Sequence, residues 1–195
     1  MSTRGVLLDR DGVINELAYF PEIGIIDSPL NPAQFKLLPG VPEAIRALNE
    51  LGFKIAVVSN QPGIAKGKMT EKLFAEIRSK MKNELEREGA HLDAEYYCFH
   101  HPDAVREEYK VNCDCRKPKP GLFLKASSEL GLDPSRSFSV GDSLVDVTAG
   151  KAAGFTTIFI GSIKCDLCRL MDQEDAHPDF VVASLIKAVE TIRRK

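Results

Sequence analysis

The chain has 195 residues, of which 44% are hydrophobic and 28% charged, and its formal net charge is −2. That length suits a single domain, 1–195, able to bury about 70% of its unfolded surface in one core, and the composition excludes a disordered chain. The slight negative charge supplies no global field to attract nucleic acid or an anionic membrane, so an anionic substrate has to be held by local cations.

Val6–Leu8 is a short apolar run that ends abruptly in Asp9-Arg10-Asp11-Gly12, and it reads as a buried strand delivering two carboxylates to a sheet edge. The stretch from Asn15 to Pro39 carries Pro21, Pro29 and Pro32 and is expected to be a structured loop forming a wall of the site. Loops longer than about 12–15 residues are usually functional or disordered. Val41, Ala44, Ile45, Leu48 and Leu51 form one apolar stripe, which predicts a helix stopped by Gly52. A second strand, Phe53–Val58, ends in Ser59-Asn60-Gln61. Thr70 caps a helix to about Glu88 whose expected buried face is Leu73, Ile77, Met81 and Leu85.

Glu95–Phe99 is a third strand, leading into a Cys/His-rich excursion that closes at Cys115. Pro118 and Pro120 then set the start of a helix through Leu130, with Gly131 as its stop. Ser137–Val140 is a fourth strand and ends in Gly141-Asp142-Ser143. A helix through Ala153, a strand Thr156–Ile160, a loop with Cys165 and Cys168, a strand Phe180–Val182 and a helix from Ser184 complete the chain. Alternation of this kind predicts an α/β fold, a Rossmann-like three-layer sandwich with a mostly parallel sheet. Strand ends of a parallel sheet share one edge, which is where ligands bind in such folds. Asp9, Asp11, Ser59, Asn60, Asp142 and Asp146 are thus expected together, with Arg116-Lys117-Pro118 just ahead of a helix. Carboxylates gathered there repel unless a divalent cation lies among them, and hard oxygen ligands select Mg2+. A lysine and a hydroxyl beside that ion make a phosphoryl site.

The ordered set Asp9-x-Asp11-Gly12-Val13, Ser59, Lys117 and Gly141-Asp142-x-x-x-Asp146 resembles the haloacid dehalogenase superfamily of aspartate-nucleophile phosphatases over nearly the whole chain. Asp9-Arg-Asp-Gly-Val-Ile-Asn15, Ser59–Gly67, Cys98-Phe-His-His-Pro102 and Cys113–Gly121 are similar to the group of D-glycero-D-manno-heptose-1,7-bisphosphate 7-phosphatases, and histidinol-phosphate phosphatases share most of these motifs. The resemblance implies that Asp9 is the nucleophile and Asp11 the acid and base, with a pKa that neighbouring carboxylates raise. It further implies that Ser59 and Lys117 stabilise the phosphoryl group, and that Asp9, Asp11 (by its backbone carbonyl) and Asp142 hold Mg2+. Substrate contacts are assigned to Arg10, Asn60, Gln61, Arg116 and Ser143, with Arg116 suited to grip a second phosphate bidentately. Asp146 reads as a member of the same ordered set, with capping or bracing the loop as its alternative.

Cys98, His100, Cys113 and Cys115 supply four ligands for a closed, structural Zn2+ site in a loop of about 98–115. Spacing leaves His101 open as the alternative, and the resemblance selects His100. Cys165-x-x-Cys168 with His177 lacks a fourth partner and reads as loop thiols. No cap domain fits the intervals between motifs, so an open site rimmed by the Asn15–Leu38 loop, Asn60–Lys68 and the zinc loop is expected. Against the heptose group, the Asn15–Pro39 loop is long and proline-rich, and Pro62 and Ser143 replace common residues.

The odd cysteine number fits a reducing compartment. With no charged-then-apolar leader and no bilayer-length apolar run, the expectation is a cytoplasmic monomer with a small sugar-phosphate substrate and no nucleic-acid or membrane partner. A zinc-binding interaction module without catalysis is the rival class, and it predicts the loss of Asp9, Ser59, Lys117 or Asp142, all of which are present.

Overall fold

A computed structural model describes residues 3–161 and 175–194. Six strands form one sheet: β1 (Gly5–Leu8), β4 (Lys54–Asn60), β5 (Ala94–Cys98), β6 (Phe138–Gly141), β7 (Thr156–Ile160) and β8 (Phe180–Val182). Their order is β5-β4-β1-β6-β7-β8, and every pairing is parallel. The first strand of the chain is therefore central. Leu8 lies opposite Val57 on one side and Val140 on the other, so the residues that follow Leu8, Val58 and Val140 emerge side by side.

Alternation along β1 sorts its side chains between two cores. Val6 and Leu8 join Ile45 and Leu48 of α1 (Val41–Glu50), Ile77, Met81 and Leu85 of α2 (Glu71–Arg87), and Ala188, Val189 and Ile192 of α5 (Leu185–Arg193). Leu7 turns to the opposite face and packs with Leu122, Phe123 and Ala126 of α3 (Gly121–Leu130) and Ala149 of α4 (Leu144–Ala152). The larger of these side chains, Val, Leu, Ile, Met and Phe, each contribute about 1.5–3 kcal/mol, and a sheet buried on both faces explains why its strands read as continuous apolar runs.

Three local expectations are corrected. The buried face of α2 uses Phe74 where Leu73 was expected, because the 74-77-81-85 spacing puts Phe74 in line and leaves Leu73 half-buried. β4 runs on to Asn60, so Ser59 and Asn60 pair with Tyr97 and Cys98 inside the sheet. The segment after Asn15 contains a two-stranded antiparallel hairpin, β2 (Ala18–Phe20) and β3 (Ile25–Asp27), whose three-residue strands are too short to show an alternation. Tyr19, Ile23 and Ile26 on this hairpin are 63–68% exposed. Cys165 and Cys168 lie outside the described residues. No helix among the described residues is long and apolar enough to cross a membrane.

Candidate active site

At the carboxyl edge, Asp9 leaves β1 with its own N–H bonded to Val140 O at 2.9 Å. Its Oδ1 accepts from the Arg10 N–H at 2.7 Å and lies 3.0 Å from Lys117 Nζ. Gly12 follows at φ +80, and a Cβ there would sit 1.9 Å from Asp142 Oδ2. Only glycine permits both the turn and that approach. A Cβ on Gly141 would fall 2.2 Å from Asp146 Cβ, so the glycine at the end of β6 lets α4 bring Asp146 down onto the strand.

Lys117 is buried, and its ammonium has three acceptors: Val58 O at 2.9 Å, Asp9 at 3.0 Å and Asp146 Oδ1. Burial works against its charge, but Asp146 and Asp9 outweigh it and raise the lysine's pKa. Asn60 clamps the same residue from behind, donating to Lys117 O and accepting from Lys117 N–H, both at 3.0 Å. Asp146 also accepts the Ser143 N–H at 3.2 Å from its other oxygen. It braces the lysine and caps α4.

Carboxylate oxygens of Asp9, Asp142 and Asp146 lie within 4.8 Å of one another. Burial and the charge of Asp9 push Asp142 up to about 6, as happens when acids face each other with too little positive charge between them. Asp146 is committed to Lys117 and the helix start, which leaves Asp9 and Asp142 as the pair facing the cleft. One or two carboxylates with the remaining positions open is the donor set Mg2+ prefers, so these residues fit that ion. The Asp11 carboxylate is not in the cluster.

Asp11 differs from expectation in its pKa. Its carboxylate is surrounded by donors: Arg10 Nε and Nη2 at 3.0–3.2 Å, Asn15 Nδ2 at 2.9 Å, Ser28 Oγ at 2.9 Å and Gln61 Nε2 at 2.6 Å. Burial raises its pKa, but the Arg10 charge and these hydrogen bonds win and hold it below the ordinary carboxylate value, where a raised pKa was expected. Arg10 itself is corrected as a substrate contact. Its side chain is completely buried, forked onto Asp11 and 5.7 Å from the centre of the Phe74 ring. Gln61 is equally buried and bridges Asp11 to Ser59 Oγ at 3.1 Å, and the Asn60 amide is spent on Lys117. Neither side chain is turned to a substrate. Arg116 is half-buried, its Nη1 donating to His100 O at 3.1 Å, and Ser143 stands half-buried beside Asp142.

The second donor cluster lies beneath that rim. Cys98 Sγ is 3.1 Å from Cys115 Sγ, 3.6 Å from Cys113 Sγ and 3.7 Å from His100 Nδ1, and His100 Nδ1 is 3.3 Å from Cys115 Sγ. A tetrahedron of Zn–S bonds of about 2.3 Å has edges of about 3.8 Å, so the four atoms are gathered, at slightly closer spacing, as ligands of one zinc would be. His101 is not part of it; its Nδ1 accepts the Asp103 N–H at 3.0 Å. Sequence reasoning missed Ser28 and Asn15 as partners of Asp11. The asparagine was visible inside the first motif, while nothing local to Ser28 pointed to the acid.

The sequence profile of haloacid dehalogenase-like hydrolases matches residues 29–154. The chain is 42% identical, over all of its length and 96% of the relative's, to D-glycero-beta-D-manno-heptose-1,7-bisphosphate 7-phosphatase of Escherichia coli O6:H1. It is also 42% identical to the enzyme of that name in Photorhabdus laumondii, over 78% of this chain and 77% of that one. In three dimensions it is similar to the crystal structure of D,D-heptose 1,7-bisphosphate phosphatase from B. bronchiseptica complexed with magnesium and phosphate, with a TM-score of 0.79, 27% identity and coverage of 98% and 99% of the two chains. By motif, by fold and by this similarity, the chain belongs to the haloacid dehalogenase-like hydrolase family.

Proposed function

We propose that this protein is a Mg2+-dependent phosphomonoesterase that removes the 7-phosphate of D-glycero-D-manno-heptose 1,7-bisphosphate through an aspartyl-phosphate on Asp9. The observation that carries the reading is the pairing of Asp9 with Lys117 Nζ at 3.0 Å beside Asp142, with a second acid two residues on. Relatives of this name match the whole chain. Asp9, Asp142 and the backbone carbonyl of Asp11 would hold Mg2+, and the ion supplies the positive charge that lets a carboxylate approach an anionic phosphate.

Asp9 attacks phosphorus, and Asp11 delivers a proton to the departing sugar oxygen and later takes one from the hydrolytic water. Ser59, whose oxygen accepts from Gln61, turns its own O–H toward the phosphoryl oxygens. Lys117 offsets the charge between nucleophile and phosphate. Arg116 and Ser143 meet the rest of the substrate. Arg116, which follows the last zinc-site cysteine and precedes Lys117, is the cation suited to a second phosphate. Zn2+ in the Cys98, His100, Cys113 and Cys115 site would be structural, holding the loop from which Arg116 and Lys117 emerge. A single-domain, cytoplasmic monomer goes with this reading.

The test is phosphate release from the heptose bisphosphate and from histidinol phosphate, in the wild type and in Asp9→Asn. The expected result is a higher kcat/KM on the bisphosphate and a loss of at least about 10³-fold in the variant. Turnover unchanged in Asp9→Asn removes the nucleophile, and preference for histidinol phosphate replaces the substrate.

A further inference from the structure

Lys117 is held at both ends, and each end is held by a different force. At the tip, Asp9 and Asp146 attract the ammonium by charge. Coulomb attraction depends on distance alone, so the two acids keep Nζ near them without fixing its direction. At the base, the Asn60 amide grips the peptide: Nδ2 donates to Lys117 O and Oδ1 accepts the Lys117 N–H, both at 3.0 Å. Hydrogen bonds weaken steeply off axis, so two on one residue set both its place and its direction.

Strand β4 supplies the contacts that are not ionic. Val58 O meets Nζ at 2.9 Å, and Asn60, two residues on, meets the backbone. Two residues of strand span about 6.6 Å, close to the reach of a lysine side chain, so Lys117 is laid against the end of β4. Asn60 is also the register partner of Cys98, whose carbonyl accepts the Gln61 N–H at 2.7 Å. Cys98 and Cys115 belong to one four-ligand cluster, and Cys115 lies two residues before Lys117. The restraints therefore close into a ring that runs from β4 through the cysteine cluster to Lys117 and back. Asn60 is the link that joins the lysine to the sheet.

We propose that Asn60 is a positioning residue for Lys117: by clamping the lysine's backbone to the end of β4, it aims the ammonium at the phosphoryl group. The inference rests on the reading of Lys117 as the cation of the phosphoryl site. The Asn60 side chain acts through the lysine and not on the substrate.

A role of this kind weakens a mimic of the transition state more than a ground-state anion, which simple bracing of the loop does not. Asn60→Ala is compared with wild type and with Lys117→Met, together with Asn60→Asp, which keeps the shape and the acceptor but loses the donor. With Mg2+ present, kcat on the heptose bisphosphate is measured per mole of folded protein, and the dissociation constants of orthovanadate and inorganic phosphate by calorimetry. Misplacing a group by about 1 Å costs up to about 10²-fold, so kcat is expected to fall about 10–100-fold in both Asn60 variants. Orthovanadate, which takes up the five-coordinate geometry of the transition state, should bind about tenfold more weakly or worse, with phosphate within about twofold of wild type. In the Lys117→Met background, adding Asn60→Ala should leave orthovanadate binding unchanged within about twofold. If kcat stays within about twofold, if phosphate and orthovanadate weaken by the same factor, or if Asn60→Ala still weakens orthovanadate without the lysine, Asn60 does not act through Lys117. If Lys117→Met itself keeps the wild-type kcat and orthovanadate affinity, the reading of the lysine fails, and the role of Asn60 with it.

Discussion

Lys117 and Asp146 allow the energetics of the site to be measured apart from its chemistry. Their side chains are 1% and 3% exposed, and the lysine's remaining acceptors are Val58 O and Asp9. Lys117→Met keeps the length of the side chain and removes its charge, which leaves Asp146 buried without a counterion. Removing one member of a buried ion pair costs about 3–5 kcal/mol, a fall of roughly 6–20 °C in Tm for a chain of this size. Adding Asp146→Asn removes the stranded charge but keeps an acceptor for the Ser143 N–H. The double variant is therefore expected to be more stable than Lys117→Met alone by about 2 kcal/mol, so that it costs less than the sum of Lys117→Met and Asp146→Asn measured singly. Urea denaturation in the presence of EDTA measures this without compensation by metal. Both variants should be inactive, so stability returns without turnover. Additive costs, within about 0.5 kcal/mol, would show that the two side chains do not act as a buried pair.

Two other expectations concern the periphery of the site. Elemental analysis of the purified wild type should find one equivalent of zinc, and Cys113→Ser should lose it and unfold at lower temperature; active protein free of zinc would end the assignment. Glu95 accepts a bidentate pair from Arg78 at 2.9 and 3.1 Å and the Tyr97 hydroxyl at 2.7 Å. Burial raises its pKa, but these partners outweigh it and lower it, so its stabilising contribution is complete above the unfolded glutamate value of about 4.3 and lost as pH falls through the lower folded one. Glu95→Gln should therefore lower Tm at pH 7, with the difference from wild type shrinking as pH falls below about 4.3; a gap that does not shrink in acid contradicts the linkage.

What could be read in advance was whatever repeats at short range. The apolar runs of β1, β4 and β6 and the polar residues at their ends were visible because a sheet buried on both faces needs no alternation, and parallel pairing then puts all the ends on one edge. The cysteine and histidine positions likewise fit a four-ligand site, though spacing did not separate His100 from His101; the ring directions do. The environment of Asp11 was not legible. Its neighbouring carboxylates suggested a raised pKa, whereas the sign is set by the Arg10 charge together with Asn15, Gln61 and Ser28, the last three arriving from a turn, a strand end and a hairpin. Arg10 looked available because charged residues at strand ends usually face water; here a buried acid beside it holds the guanidinium in the core.

The ammonium of Lys117 has no hydrogen left over. When a phosphoryl group arrives, the lysine does not gain a partner but exchanges one, so its benefit is the difference between two bonds of similar strength, together with a charge that was already in position. Such a group contributes little to the grip on a resting ester. Its worth lies in the moment when negative charge accumulates on the oxygens in flight, which is when an exchange becomes a profit.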